Sequence, residues 1–492
     1  MKTKFLTKIS SFIILFVMCA ILLAGCSTPW EGPKTEDDVT GNGGLAVQKG
    51  DYLYFVNGYT SKSDMVDGDN KGEFEYSSIY KAKLNESNEL EYDEDGKLLN
   101  CSKLVSKVGG YDDTALYIYG DYMYFASPYA NTVTNSDLQQ ENNFKLTDFY
   151  QVKLDGSGLK TIYTTNNDST DIQFGFYQTA DSNDVNLVVY DSKKLVVVNC
   201  STSHVATVSE NVTNVALPKV TDFKYNNNQI TKQESAVYYT RSGTEEENLS
   251  EGNVLAYSVI GENTEKQITK GVNTYAVKTV TKDALVVTIQ NADYPNTCNY
   301  FITFDKQTGE PEFDLNDVLN QKLDSSGNSK VYLCAFEDGN PVGMITTNSK
   351  NKLVMLDYKN NNKAVVLNDT VALTPLKVIG NYVYGYDDSK SLYRINYKQA
   401  LVSQDKASLL ETIYESTKIV DEENSTTADD IYFDAKTNFT VIGNYVYFYM
   451  PYKGETETGY YLNRINMLNS EKTAELVGVV QADHIVVEDS EE

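Results

Sequence analysis

Two histidines, His204 and His484, are all the imidazole in this chain of 492 residues. That leaves little room for a histidine general base or a histidine-rich metal centre. No G-x-S-x-G, H-E-x-x-H, phosphate-loop or G-x-G-x-x-G element stands in a suitable context. Acids are the abundant ionisable groups, 69 Asp and Glu against 42 Lys and Arg. A carboxylate pair for glycan chemistry could be drawn from them almost anywhere, so any one pair is first a solvated loop charge. The best-spaced set is Asp64, Asp67, Asp69 and Glu73, acids alternating around Gly68 as a calcium cradle would want. Their spacing is not that of the helix–loop–helix calcium site, and an acidic hairpin loop is the plain reading beside the calcium one. Asp429, Asp430 and Asp434 form a weaker version. No other cofactor is expected.

Tyrosine is the other recurrent chemistry-bearing residue, with 38 copies. Tyr52, Tyr54, Tyr122, Tyr124, Tyr382, Tyr384, Tyr445 and Tyr447 occur as Tyr-x-Tyr pairs, so on a strand each pair points to one face. Two readings follow: packing between sheets, which we favour, or an aromatic platform for sugars or peptides. Tyr129 and Tyr452 fall in longer polar segments, Ser127–Asn143 and Pro451–Gly459, which with Gly58–Tyr76 are the candidate ligand loops. Of the cysteines, Cys101, Cys200, Cys298 and Cys334 are widely spaced with no C-x-x-C pair, which argues against zinc. They read as buried thiols or as one or two disulfides, with Cys298 and Cys334 the pair to test.

The elements that position these residues begin with an export signal over residues 1–25. Lys2, Lys4 and Lys8 precede an uncharged apolar run from Phe12 to Ala24. Leu23-Ala24-Gly25-Cys26 looks like the bacterial lipobox, which makes Cys26 the lipidation site and the membrane the N-terminal partner. Residues 26–43 carry two prolines and several glycines without periodicity, and read as a flexible tether with Trp30 near the lipid. The body, residues 44–492, is therefore expected outside the cytoplasm, on the outer membrane face in a Gram-positive host. Formal charge is −27, and removal of residues 1–25 takes it to −30. So acidic a surface argues against nucleic acid and against direct adhesion to anionic lipid. Only Arg241, Arg394 and Arg464 are arginine, a bias that fits an AT-rich genome.

From residue 44 onward, short runs rich in Val, Tyr, Ile and Phe alternate with Asn, Asp, Gly and Ser clusters, the pattern of strands and turns. Residues 314–323 are the best candidate for a short helix. Val378-Ile379-Gly380-Asn381-Tyr382-Val383-Tyr384 recurs letter for letter at residues 441–447, each copy followed by an R-I-N strand, Arg394-Ile395-Asn396 and Arg464-Ile465-Asn466. Weaker copies start at Gly50-Asp51-Tyr52 and Gly120-Asp121-Tyr122, followed by Ile79–Leu84 and Phe149–Leu154. Degenerate units lie around Val185–Cys200, Ala236–Ile268, Ala284–Phe304 and Val342–Leu367. The unit reads as four antiparallel strands, and about eight units are counted. Such units cannot stand alone, and packing them radially hides their edges, so the expected fold is an all-β propeller rather than two sandwiches.

The motif G-[DN]-Y-[LVM]-Y-F, a loop, L-Y-R-I-N or F-Y-Q-V-K-L-D-G-S-G, then a Thr- and Tyr-rich strand resembles the YWTD-like β-propeller repeats related to the low-density-lipoprotein-receptor propeller. More specifically it is similar to the clostridial lipoproteins that carry this repeat, over residues 44–165 and 370–480. The YWTD tetrad itself is absent, and eight units exceed the six blades usual there. The resemblance implies an extracellular binding scaffold rather than a defined chemistry. Without a catalytic motif, the expectation is a lipid-anchored module that binds a protein or glycan through the loops of one propeller face. The rivals are a secreted polysaccharide lyase or hydrolase using carboxylates or tyrosine, and an envelope assembly factor.

Overall fold

The protein is described from a computed structural model. It covers residues 32–57, 78–94, 98–108, 115–128, 131–134, 140–143, 146–165, 172–178, 184–218, 235–247, 249, 252–280, 284–290, 298–305, 307–315, 318, 331–337, 340–347, 350–357, 363–389, 391–415, 439–453, 458–471 and 473–477.

The turn signals partition the chain into eight antiparallel meanders, each built from consecutive strands. Blade 1 holds Ala46–Lys49, Tyr52–Val56, Ser78–Lys83 and Cys101–Val108. Blade 2 holds Tyr117–Tyr119, Tyr122–Pro128, Thr147–Lys153 and Lys160–Thr164. Blade 3 holds Gln173–Gln178, Val185–Asp191, Lys194–Asn199 and His204–Ser209, and blade 4 Val212–Ala216, Ala236–Arg241, Val254–Val259 and Lys266–Lys270. Blade 5 shows three strands among the described residues, Thr274–Val280, Ala284–Gln290 and Cys298–Thr303. Blade 6 holds Val331–Glu337, Asn340–Thr347, Lys350–Asp357 and Lys363–Asn368. Blade 7 holds Thr374–Ile379, Tyr382–Tyr386, Leu392–Asn396 and Leu410–Tyr414. Blade 8 holds Thr440–Ile442, Tyr445–Lys453, Thr458–Asn466 and Glu475–Leu476. All eight units expected from the repeats are present. Helix is scarce. Tyr397–Val402 forms one short helix, capped by the Asn396 side chain, and in the 314–323 segment the Val318 N–H donates to the Asp314 carbonyl in one helical turn.

In blade 1 both faces of the second strand are apolar because both are buried between neighbouring sheets. Tyr52 and Tyr54 pack with Leu116, Ile118 and Met123 of blade 2. Leu53 and Phe55, one residue out of step, pack with Tyr447, Tyr449 and Leu462 of blade 8. The first blade thus packs on the last, and the array closes into a ring: a β-propeller. Similar clusters join blades 2, 3 and 4, 4 and 5, 6 and 7, and 7 and 8.

Among the described residues no strand is exchanged at the closure, because every sheet is one continuous stretch of chain. A strap from Lys34 to Gly44 spans the seam instead. Val39–Thr40 pairs with Gln48 and Lys49 along the first strand of blade 1. Asn42 is buried and its side chain accepts from the Ile118 N–H of blade 2 at 2.5 Å. The Leu45 N–H donates to Thr440 Oγ1 of blade 8 at 2.9 Å. The tether expected over residues 26–43 is corrected here: from Lys34 onward the segment is docked against the ring, because Lys49 and the backbone of blade 2 satisfy its carbonyls and amides. Cys26 lies outside the described residues.

Candidate binding face

A four-stranded meander places its first-to-second and third-to-fourth connections at one end, and its second-to-third connection and the link to the next blade at the other. The ring therefore has a turn face and a loop face. On the turn face, blades 1, 2, 7 and 8 repeat one device. Gly50, Gly120, Gly380 and Gly443 adopt φ of 55°, 56°, 60° and 57°, the left-handed first position of a two-residue hairpin turn, which glycine takes without steric cost. The next residue's carbonyl then accepts from the residue that ends the third strand: Leu84 to Asp51, Leu154 to Asp121, Tyr397 to Asn381 and Met467 to Asn444, at 2.8–3.0 Å. Each G-[DN] turn is thereby stitched to the start of the third-to-fourth connection.

The loop face gathers the candidate ligand loops. Gly58–Tyr76, Ser127–Asn143 and Pro451–Gly459 are the second-to-third connections of blades 1, 2 and 8, which are neighbours in the ring. In blade 8 the flanking strands are nine residues each and stay paired as far as Lys453 and Thr458. In blade 2 a ribbon of Asn131–Thr134 against Gln140–Asn143 continues the connection. In blade 1 Asn57 and Ser78, both buried, close the base through a backbone bond of 3.1 Å. By contrast the same connection in blade 3 is the tight turn Ser192-Lys193, with φ of 49° and 72°. The three candidate ligand loops thus lie on one arc of the ring.

Asp64, Asp67, Asp69, Glu73, Tyr129, Asp429, Asp430 and Asp434 lie outside the described residues, as do the side chains of Tyr452, Cys298 and Cys334. Among the described residues no three His, Cys, Asp or Glu converge as a metal site. His204 is exposed at the start of the fourth strand of blade 3. Cys101 and Cys200 are free thiols, each pushed up to about 12 by burial.

The aromatic platform is not formed by the paired tyrosines. Tyr52, Tyr54, Tyr124, Tyr384 and Tyr447 are buried, and each faces the following blade: Tyr124 meets Phe176 at 5.3 Å, Tyr384 meets Phe439 at 5.3 Å. Tyr122, Tyr382 and Tyr445 are half-buried. The last two are covered by guanidinium groups, Arg394 at 4.4 Å and Arg464 at 4.3 Å from the ring centres.

Those arginines belong to a set that the sequence reading treated as compositional bias. All three arginines sit inside blades with a carboxylate. Arg394 donates to Glu411 through Nε at 2.9 Å and Nη2 at 2.7 Å, and Arg464 Nε donates to Glu475 at 2.9 Å. Both acids stand directly opposite on the fourth strand. Arg241 is held by two acids: Nη1 and Nη2 donate to Glu247 at 2.7 and 3.0 Å, and Nε and Nη2 to Glu265 at 2.9 and 2.7 Å. Tyr239 and, from blade 3, Ser209 also donate to Glu265. The Arg241 hydrogen bonds hold the Glu247 carboxyl down at about 2. Burial pushes Glu265 up, yet Arg241 and Tyr239 bring it below its ordinary range. Bidentate pairing of this kind is a planar fork's work, which lysine cannot copy.

Near the inner strands one ionisable cluster stands out. Lys49 is fully buried, and its Nζ donates to the Thr35 carbonyl at 3.0 Å and the Gly120 carbonyl at 2.6 Å. Burial lowers its pKa while Asp121, Asp37 and Glu36 oppose that. Its donors are committed to holding the strap, as is Asp121, which accepts from Thr35 Oγ1 at 2.8 Å.

No family model matches the chain, and no curated protein does. Among solved structures it is similar to TolB from Acinetobacter baumannii, at 14% identity and TM-score 0.28 over 52% of this chain and 58% of that one. It is also similar to oligopeptidase B from Leishmania major, at 13% identity and TM-score 0.42 over 74% and 48% of the two chains. The β-propeller domain of the trilobed protease from Pyrococcus furiosus is similar at 11% identity and TM-score 0.38, over 73% of this chain and 95% of that domain. The chain spans about half the length of several such structures. With every TM-score here below 0.5, the propeller assignment rests on the sheet order and inter-blade packing of the chain itself.

Proposed function

We propose that the protein is a membrane-anchored extracytoplasmic binding scaffold that holds a protein partner on the loop face over blades 8, 1 and 2. One observation carries the reading: the three candidate ligand loops spring from adjacent blades on one rigid rim, while the N-terminal strap meets the ring at the opposite face. Loops on a fixed scaffold are where binding chemistry is freest to be placed. Gly58–Tyr76 carries Asp64, Asp67, Asp69, Glu73 and Glu75 against Lys62 and Lys71, and Gly454–Glu457 carries two acids and no base. That charge, with Tyr129 and Tyr452, suits a partner with a basic surface, because complementary potential speeds encounter and fixes register. The enzyme reading needs convergent, uncommitted ionisable groups around the channel. Lys49 and Asp121, one ionisable cluster near the inner strands, are occupied in holding the strap.

The test is mild cross-linking of the C-terminally tagged, lipidated protein on membranes of its host. A reproducible protein partner is expected, lost when residues 58–76 and 129–143 are shortened and insensitive to changes on the turn face. Capture that survives both deletions would overturn the loop-face assignment. A soluble glycan that raises the melting temperature, with no protein captured, would replace the protein partner by a glycan.

A further inference from the structure

Exposed large apolar side chains carry information when they are grouped. Among the described residues six are exposed: Leu99, Leu159, Val205, Val272, Val402 and Leu468. Leu99, Leu159, Val402 and Leu468 lie in or at the edge of the third-to-fourth strand connections of blades 1, 2, 7 and 8. Val205 follows the same connection of blade 3 by two residues. Five of the six therefore sit on the turn face of five consecutive blades, 7-8-1-2-3, and Val272 alone lies on the other side. The two most exposed of the five, Val402 at 85% and Leu468 at 70%, are on the adjacent blades 7 and 8.

The strap meets the ring on this same face. Thr35 bonds Asp121 and Lys49, and Asp37 stands against the Gly50 turn. Thr35 is nine steps along the chain from Cys26, so at ~3.3–3.6 Å per residue the lipid lies within about 30 Å of the turn face. We propose that the turn face docks on the membrane, with Val402 and Leu468 seated in the interfacial layer of the bilayer that holds the N-terminal lipid. This rests on the lipid-anchor part of the function proposed above, and not on the identity of any partner.

Charge sets the tilt. The blade 1 connection carries Glu86, Glu89, Glu91, Asp93, Glu94 and Asp95 against Lys97, a net charge that a phosphate-lined surface repels, whereas the blade 7 connection carries Lys398 and Lys406 against Asp405. Exposed Lys398 has a long apolar stem that suits the headgroup layer. Two acyl chains already secure attachment, so the apolar pair decides orientation: blades 7 and 8 down, the acidic rim of blade 1 raised, the loop face turned outward.

Orientation is read by amide hydrogen exchange on the full lipidated chain in phosphatidylcholine vesicles, compared with the unanchored Cys26→Ser chain. Exchange is expected to slow at 397–409 and 467–471 on anchoring and to stay unchanged at the loop-face turns 387–391 and 192–193. In Val402→Asp/Leu468→Asp, two exposed changes, the slowing should disappear while the protein still floats with vesicles. Slowing confined to the loop face, none at 397–409 and 467–471 in floating protein, or slowing untouched by the double substitution would each overturn the proposal. A wild-type chain that does not float removes the anchor and the proposal with it. Loss of a captured loop-face partner alters none of these readings, so the two proposals fail separately.

Discussion

Replacing Arg241 by Met removes the one cation between Glu247 and Glu265, whose side chains are 16% and 25% exposed. Truncating the cation leaves the two carboxylates facing each other with only neutral donors, Tyr239 and Ser209 on Glu265 and the Thr244 N–H on Glu247, which costs about 3–5 kcal/mol at neutral pH. The pH dependence makes the reasoning testable. Glu247 titrates at about 2 in the folded protein against an ordinary 4.5. A carboxyl whose folded pKa is depressed binds fewer protons folded than unfolded, so its stabilisation is complete above the unfolded pKa. It is lost as pH falls through the folded one. For Glu247 that is a loss of about 2–3 kcal/mol between pH ~4.5 and ~2, and Glu265 adds in the same direction. In Arg241→Met the sign reverses, since the two half-buried acids repel and protonation relieves them. The gap in unfolding free energy between the two proteins, followed by denaturant titration from pH 7 to pH 3, should therefore narrow by most of its value. Titrations common to both proteins cancel in the difference. A gap that stays constant down to pH 3 would refute the ionic account and leave Arg241 as packing volume.

Tyr54 is fully buried with no hydrogen-bond partner for its hydroxyl among the described residues, so Tyr54→Phe should stabilise by about 1–2 kcal/mol, and Tyr54→Ala should cost about 3–5 kcal/mol, both read by denaturation midpoints. Gly443→Ala meets open space but must hold φ near +57°, a purely backbone cost of about 1–2 kcal/mol in the same assay. Gly44→Ala differs in kind: its Cβ would collide with Thr440 Oγ1 at the seam, and limited proteolysis of residues 34–45 should accelerate while blades 3 and 4 stay protected. Cys101 and Cys200, held near 12 by burial, should resist alkylation at pH 8 until the chain is denatured; rapid labelling of either in the folded protein would show that its blade opens.

The outer blades were legible because their hairpins are written in glycine. G-[DN] marks blades 1, 2, 7 and 8, where a left-handed φ is obligatory. Blades 3 to 5 lack a glycine between their first two strands, since long stretches such as 217–235 replace the two-residue turn in blade 4, and only the strand texture remained to reveal them. The tyrosine pairs were legible as one-sided, but period two cannot say whether that side meets solvent or another sheet. The strap escaped notice for a different reason. Its one paired stretch, Val39–Thr40, is two residues long, shorter than any periodicity, and its anchors are 76 and 395 residues away. Leu468, an exposed apolar residue in the polar turn Leu468-Asn469-Ser470-Glu471, was visible but meaningless until the ring put Val402 on the neighbouring blade.

That ring also decides where chemistry can reside. Each second strand spends both faces on its neighbours: Tyr54 forward on blade 2, Phe55 backward on blade 8. Side chains with the greatest binding capacity by type, the tyrosines and arginines, are thus drawn into blade contacts, where an arginine can serve Tyr382 and Glu411 at once. What remains free is the two rims. The turn rim is constrained by a repeated backbone stitch and the strap, so its variation is limited to what the third-to-fourth connections expose, which includes Val402 and Leu468. On the loop rim over blades 8, 1 and 2 the described bonds lie at the loop bases, as between Asn57 and Ser78. On the reading proposed above, the loop rim over blades 8, 1 and 2 is the side presented and the turn rim, where the strap meets Gly50 and Asp121, is the side held.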